Sequence, residues 1–489
     1  MRTRREAIFG AAATVAMAIA CAALLGEPDR SQRGARQEAP AAFLTDVPAQ
    51  KYDIILTRPA RDTVTASILA YGALEGYVGY GDASNKYTCK TALQSFPSSQ
   101  PVQLAITGLM PGTRYYYRFY TRPTGTTPFE ASAEASFCTA KPQHTPFEFT
   151  VTADSHLDEH TLPDIYLATM RSAARDGPDF HIDLGDTFMT EKHVDRASAA
   201  KQYLAQRYYF SQVARSAPLF LVLGNHDGET VREQDGTANS LAVWSNAERK
   251  QYFPMPRPDA FYSGNDAVHA LAGDLQDYYA WEWGDAQFIV LDPFWYTPRQ
   301  RGGDDNWART LGRAQYDWLR RTLEASHAKF KFVFIHHLVG GLGRDARGGS
   351  EAAPFFEWGG KNADGTDGFA SHRSGWGKPI HQLMMDNHVA VVFHGHDHLF
   401  AKQDLDGIVY QEVPQPGWEG RFDEDRVKEY GYVKGTILPS SGYMRVSVAD
   451  KIATVEYVRV ESQRRGVGET KASVAYKYTI VAAELETLP

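Results

Sequence analysis

Acidic, amide and imidazole side chains gather in five short runs: Asp154-Ser155-His156, Gly185-Asp186, Gly224-Asn225-His226-Asp227, His336-His337 and His394-Gly395-His396-Asp397-His398. Carboxylate, imidazole and a neutral amide oxygen together suit borderline first-row ions such as iron, zinc or manganese. A magnesium or calcium site would instead be built from oxygen alone. The five runs hold enough carboxylate, amide and imidazole donors for more than one ion. Ions about 3.5–4 Å apart can bind both non-bridging oxygens of a phosphoryl group, activate a shared water and stabilise an in-line displacement. Each run alone is a weak signal, since a Gly-Asp or a His pair occurs by chance; the five together, in one chain, are specific. An isolated buried histidine is ordinarily a packed core residue, and His181, His327, His381 and His388, outside the runs, are read that way.

Apolar stretches precede these runs and would position them. Phe147–Thr152, Phe180–Leu184, Leu219–Leu223, Phe330–Ile335 and Val389–Phe393 read as buried strands, with Phe288–Leu291 a further one. Between them, Leu162–Arg175 and Gln315–Ser326 carry apolar residues at three- and four-residue spacing and read as surface helices. Strands return after His398, at Gly407–Glu412, Met444–Val448 and Ala453–Val460, to complete a second sheet. The pattern predicts a layered α/β domain over 145–489, with ligands binding beyond the carboxyl ends of its strands. Ahead of it, 49–142 holds short alternating runs separated by turn signals such as Met110-Pro111-Gly112, which predicts an all-β sandwich. The intervening glycines Gly185, Gly224 and Gly395 allow sharp turns where a side chain would obstruct the metals.

The chain has 489 residues, long enough for two or three domains, and a net charge of −8. No basic excess is available to neutralise a nucleic-acid backbone, so nucleic acid beyond a nucleotide is a poor partner, and a small phosphorylated substrate would have to be drawn in by bound metal ions and local arginines. Residues 1–25 pair Arg4-Arg5 with an uncharged alanine-rich run and read as an export signal, resembling the twin-arginine type, so a periplasmic or secreted protein is expected. A membrane would be reached only through this segment, left uncleaved or lipidated at Cys21. Residues 26–48 are too poor in apolar bulk to bury a core and read as a linker. Cys89 and Cys138 fall in the same β domain, as a disulfide or as two separate thiols.

The five runs, in this order, resemble the calcineurin-like metallophosphoesterase superfamily: Asp-x-His, Gly-Asp, Gly-Asn-His-Asp/Glu, a lone His, then Gly-His-x-His. The resemblance implies a four-layer α/β/β/α catalytic domain, with Asp154, His156 and His398 on one metal, Asn225, His336 and His396 on the other, and Asp186 bridging them. Of the histidine pair it places the ligand at His336, leaving His337 behind it; His394 reads as a supporting or pocket residue or as a merely packed histidine. The resemblance implies a hydroxide between the metals as nucleophile, His226 as acid to the leaving group, and Asp227 orienting the His226 ring. Leu109-Met-Pro-Gly-Thr-Arg-Tyr-Tyr-Tyr-Arg118 resembles the signature strand of a fibronectin type III-like domain, the domain that precedes the catalytic part of plant-type purple acid phosphatases. Those enzymes have glycine where this chain has His156, and the tyrosine that gives their colour where it has Met189. The resemblance therefore implies a colourless centre.

A long insert between His337 and His394 contains Gly340–Gly349, Phe355–Gly360 and His372–Pro379 and reads as a lid or binding loop. Arg344, Arg347 and Arg373 are its candidate phosphate contacts, beside Lys192 and Arg232 elsewhere, while Trp358 and Trp376 are read as packing residues or stacking platforms. Hydrolysis of phosphate monoesters is the leading reading. Hydrolysis of nucleotide or glycerophosphodiester substrates is the alternative, and a non-catalytic surface-binding protein is the third.

Overall fold

The computed structural model describes residues 42–298, 305–419, 424–462 and 470–482. The expected leader at 1–25, Cys21 and most of the 26–48 linker lie outside the described residues.

Alternation along the strands sets the layers. In Phe330–Phe334, Phe330, Phe332 and Phe334 enter one core while Val333 enters another; in Val391–His394, Val391 and Phe393 take the first core and Val392 the second. That is the two-residue period of a strand buried on both faces. The first core is an aromatic layer between two sheets. Phe149 stacks on Phe180 with ring centres 5.4 Å apart and meets Phe288 of the opposite sheet edge-on at 5.2 Å, and Phe220 lies flat on Trp281 at 4.0 Å. The second core packs the helices Gly312–Ala325 and Ile380–Asp386 against the outer face of the second sheet. On the outer face of the first sheet, His181 points to Phe210 of the helix Arg196–Ala214, which runs beside Pro163–Asp176. The result is the expected α/β/β/α order.

Parallel pairing brings the chemical residues to one rim. Phe147–Thr152, Phe180–Asp183 and Leu219–Leu221 run parallel in the first sheet. Ala286–Val290, Phe330–Phe334, Val391–His394 and Ile408–Glu412 run parallel in the second. All five runs of acid, amide and imidazole residues leave carboxyl ends of these strands.

The N-terminal β sandwich is joined to this frame by hydrogen bonds. Tyr52–Thr57, Thr63–Ala70 and Val102–Thr107 form one of its layers, and Leu74–Gly81 with Arg114–Pro123 anchor the other, around Ile54, Leu56, Ile68, Val78, Tyr117, Phe119 and Phe137. The first layer continues the first sheet of the α/β domain: Thr57 pairs in parallel with Leu219, giving nine strands across the seam. Cys89 and Cys138 are separate thiols, one exposed and one buried.

A buried ion pair crosses the same seam. Arg207, on the helix Arg196–Ala214, donates from Nε to Asp53 Oδ1 at 2.8 Å and from Nη2 to the Ser67 carbonyl at 3.0 Å, while the Tyr71 hydroxyl donates to the other Asp53 oxygen at 2.9 Å. Both charged side chains are fully buried. Removing one partner strands the other charge away from water, at a cost of about 3–5 kcal/mol. Arg207→Ala is therefore expected to lower the urea-unfolding midpoint sharply. The double replacement Arg207→Met with Asp53→Leu is expected to recover most of the loss, and equal stability of the single variant and the parent would contradict this account.

Candidate metal centre

The strand ends bring their donors into two adjoining groups. Asp154, His156 and His398 each offer one ligand atom, all within 4.8 Å of one another, and Asp186, His336 and His396 do the same. Asp186 lies between the groups, its Oδ2 3.3 Å from His336 Nε2 and 3.8 Å from His156 Nε2. Asn225 adds its amide oxygen 3.0 Å from His336 Nε2.

The orientation of the rings is what calls for a cation. His336 Nδ1 donates to the Leu184 carbonyl at 2.9 Å, and His396 Nε2 donates to the Asp345 carbonyl at 2.6 Å. Their other nitrogens, lone-pair-bearing in neutral rings, face each other at 3.2 Å with the Asn225 oxygen alongside. Such an arrangement repels itself unless a proton or a metal ion sits within it. In the neighbouring group, Asp154 Oδ1 and His156 Nε2 are buried without a hydrogen-bond partner among the described residues. Burial works against charge on His156 and His336, yet Asp158 and Asp186 hold the first up at about 10, and Asp186 with Asp154 hold the second up at about 9. Burial instead pushes His396 and His398 down, so the four rings do not titrate alike, and it is the convergence of their lone pairs with the carboxylates that fits a pair of metal ions.

The loops that carry these donors are strained. Asp154, His156, Asp186, His396 and His398 all have positive φ, from 36° to 83°, a region that side-chain-bearing residues seldom enter. Such conformations cluster at functional sites, where the surrounding structure holds them in place. Two glycines show why no side chain is tolerated there: a Cβ on Gly224 would lie 2.3 Å from Asp186 Oδ1, and one on Gly395 would lie 2.6 Å from Asp154 Oδ2.

The family model for calcineurin-like phosphoesterase matches residues 147–400, just over half of the chain. The chain belongs to that family. It is a metal-dependent phosphoesterase, a hydrolase. No curated protein matches it. Among solved structures it is similar to PhoD, with a TM-score of 0.63 and 14% identity over 88% of this chain and 90% of that one. It is also similar to the purple acid phosphatase PPD1 from yellow lupin (Lupinus luteus) seeds, with a TM-score of 0.55 and 13% identity over 90% of this chain and 75% of that one. At such identities the likeness is one of fold.

In this phosphoesterase the partner of His226 is not Asp227. Asp227 is buried and accepts the backbone N–H groups of Gly224, Asp186, Thr187 and Phe188 at 2.7–3.1 Å, so both its oxygens serve to hold the two ligand loops together. The His226 ring instead pairs through Nδ1 with Glu191, and its own backbone N–H donates to Asp186 Oδ1 at 2.8 Å. Glu191 follows Asp186 by five residues in the same loop, a signal available in the sequence but masked by the adjacent acid of the Asn225-His226-Asp227 run. Asp158, two residues after His156, was likewise legible only by proximity; its Oδ2 lies 3.1 Å from His156 Nδ1.

A cavity of about 510 Å³ opens beside Asn225, His226 and His396, walled by Val231, Pro293, Phe294 and Pro298. Of the candidate arginines, Arg344 and Arg347 line it with Arg232, and Arg373 does not. Arg373 is held by Glu357 Oε2 at 2.5 Å and by the Trp307 and Arg309 carbonyls, a clamp within the insert. Arg347 donates to the His396 carbonyl at 2.7 Å and pairs with Asp397 at 3.0 Å, while the Gly348 N–H donates to the other Asp397 oxygen at 2.9 Å. This part of the insert is therefore tied to the ligand loop, where a lid was expected. Arg344 is exposed on the rim; its carbonyl accepts from the Arg309 guanidinium, while its own guanidinium makes no hydrogen bond or ion pair among the described residues. Exposed Lys192 does not line the cavity, nor do Trp358, whose Nε1 donates to the Tyr410 hydroxyl at 2.9 Å, and Trp376, which packs on Tyr316.

His337 lines the cavity with its Nδ1 on its neighbour's carbonyl, and burial pushes its pKa down to about 3. His394 is buried behind the site against Glu412, 2.5 Å away. Neither stands in the two donor groups. Asp186→Asn is expected to deplete both metal equivalents in elemental analysis while the far-ultraviolet circular dichroism stays that of the parent. Loss of a single equivalent would show that Asp186 serves one ion only.

Proposed function

We propose that this protein hydrolyses phosphate monoesters, with Asp154, His156 and His398 holding one metal ion, Asn225, His336 and His396 the other, and Asp186 shared. The observation that carries this reading is the two donor groups meeting at Asp186, with His226 and a lined cavity beside them. The mixed nitrogen and oxygen donors favour iron, zinc or manganese. When bound, the ions supply Lewis acidity toward the phosphoryl oxygens and a water acidified near neutral pH.

The remaining work falls to the chain's own groups. Glu191 fixes the Nδ1 side of His226, which leaves Nε2 as the atom to carry a proton to the leaving oxygen. The hydrogen bond from the His226 backbone to Asp186 keeps this acid in register with the shared carboxylate. Arg344 and Arg232, on the cavity rim, are placed to meet phosphate oxygens or a charged leaving group, and Phe294 with Pro293 offers an apolar wall to its body. A cavity of about 510 Å³ also has room for a second ester group, which supports the phosphodiester alternative. The arginine pair and apolar run at the N-terminus support export to the periplasm or medium, and among the described residues no helix is long and apolar enough to cross a membrane.

His226→Ala is expected to keep its metal while losing roughly 10²–10⁴-fold in turnover on an ester with a poor leaving group, and less on an aryl ester. Loss of metal in that variant would overturn its role as acid. Rates on an aryl monoester and the matching bis-aryl diester test the substrate class: a faster monoester is expected, a faster diester would favour the alternative, and turnover of neither by metal-replete protein would contradict both.

A further inference from the structure

The segment that precedes the sandwich docks on the metal-binding loops. The Leu44 N–H donates to the Leu157 carbonyl at 2.7 Å, Phe43 forms a β-bridge with Asp158, and the Ala42 N–H donates to Glu159 at 3.2 Å. These three contacts fall on the residues immediately after His156. The loop they grip is the most strained of the site, with positive φ at Asp154, His156 and Leu157 in close succession. Residues in such conformations relax unless neighbouring structure holds them.

The Phe43 side chain reaches a second loop. Its ring stacks on His193 with centres 3.8 Å apart and planes 21° from parallel. His193 Nε2 lies 2.7 Å from Gln202 Oε1, and the Gln202 amide donates to the carbonyls of His156 at 2.5 Å and Thr187 at 2.8 Å. A continuous path therefore runs from Phe43 through His193 and Gln202 back to the His156 main chain, while the strap backbone fixes Asp158, whose carboxylate holds the His156 ring. His156 is gripped from both sides by elements that converge on Phe43.

We propose that Phe43 is a positioning residue for the Asp154–His156–His398 ion: the strap Ala42–Leu44 holds the strained His156 loop in its ligating conformation and so sets how long that ion stays bound. The inference rests on the two-ion reading given above. Among the described residues the strap makes no contact with Asn225, His336 or His396, the other ion's own donors, and the shared Asp186 keeps its hold from Asp227, so the effect falls on one equivalent. Groups that orient metal ligands from behind change metal affinity by roughly 10–100-fold when removed.

The test is the release of zinc from zinc-loaded full-length protein to a chelating indicator, followed as two equivalents in time. Phe43→Ala is expected to speed one equivalent by roughly 10–100-fold and leave the other at the parent rate, while Phe43→Tyr, which keeps the ring, releases both as the parent does. Asp158→Asn is expected to speed the same equivalent, with little further gain in the double variant, since both changes act through His156. Release of both equivalents at parent rates, or equal acceleration of both, would overturn the strap's role. Parent protein that binds only one equivalent would instead overturn the two-ion reading beneath it.

Discussion

Lone pairs held facing one another, out of water, are the constraint on which the rest of this structure depends. Asp154, Asp186, Asn225 and four imidazoles converge at one rim, and the hydrogen bonds behind His336 and His396 turn their free nitrogens toward the same small volume. Unpaired donors of this kind are costly in a buried setting. A cation removes that cost, and the fold around the site reads as the means of keeping the donors there until one arrives. Parallel strands in two facing sheets deliver the loops, the aromatic layer locks the sheets, and glycines at 224 and 395 let carboxylates approach the backbone closely.

Much of this was legible in the sequence because strand-end chemistry is local. An apolar run followed by Asp-x-His or His-x-His carries its own placement, and His336 rather than His337 falls in a donor group because period-two alternation sends successive residues to opposite faces. The four-layer order was implied by the family resemblance, and alternation along the buried strands is its physical cause. What sequence adjacency could not give was the pairing between loops. Asp227 follows His226 directly, yet its carboxylate turns away to four backbone amides, whereas Glu191, 35 positions earlier, meets the ring. Arg373 looked equivalent to Arg344 and Arg347, but burial of Glu357 beneath it claims its guanidinium.

Long-range ties were the second thing hidden from the sequence. Thr57 opposite Leu219 merges the sandwich with the catalytic sheet, Arg207 reaches Asp53 across that seam, and Arg347 fastens the insert to the His396–His398 loop. Each joins residues far apart in the chain through backbone or buried charge, which leaves no periodic trace. Together they turn regions that read as a separate module and a lid into supports for the metal rim.

The central claim is that two ions share Asp186. Electron paramagnetic resonance of the manganese-loaded protein tests it most directly, because ions bridged by one carboxylate at about 3.5–4 Å couple their spins. The account predicts two bound equivalents and a spectrum dominated by an exchange-coupled pair. Two equivalents giving only the six-line signal of isolated Mn²⁺, or binding that saturates at one equivalent, would contradict it.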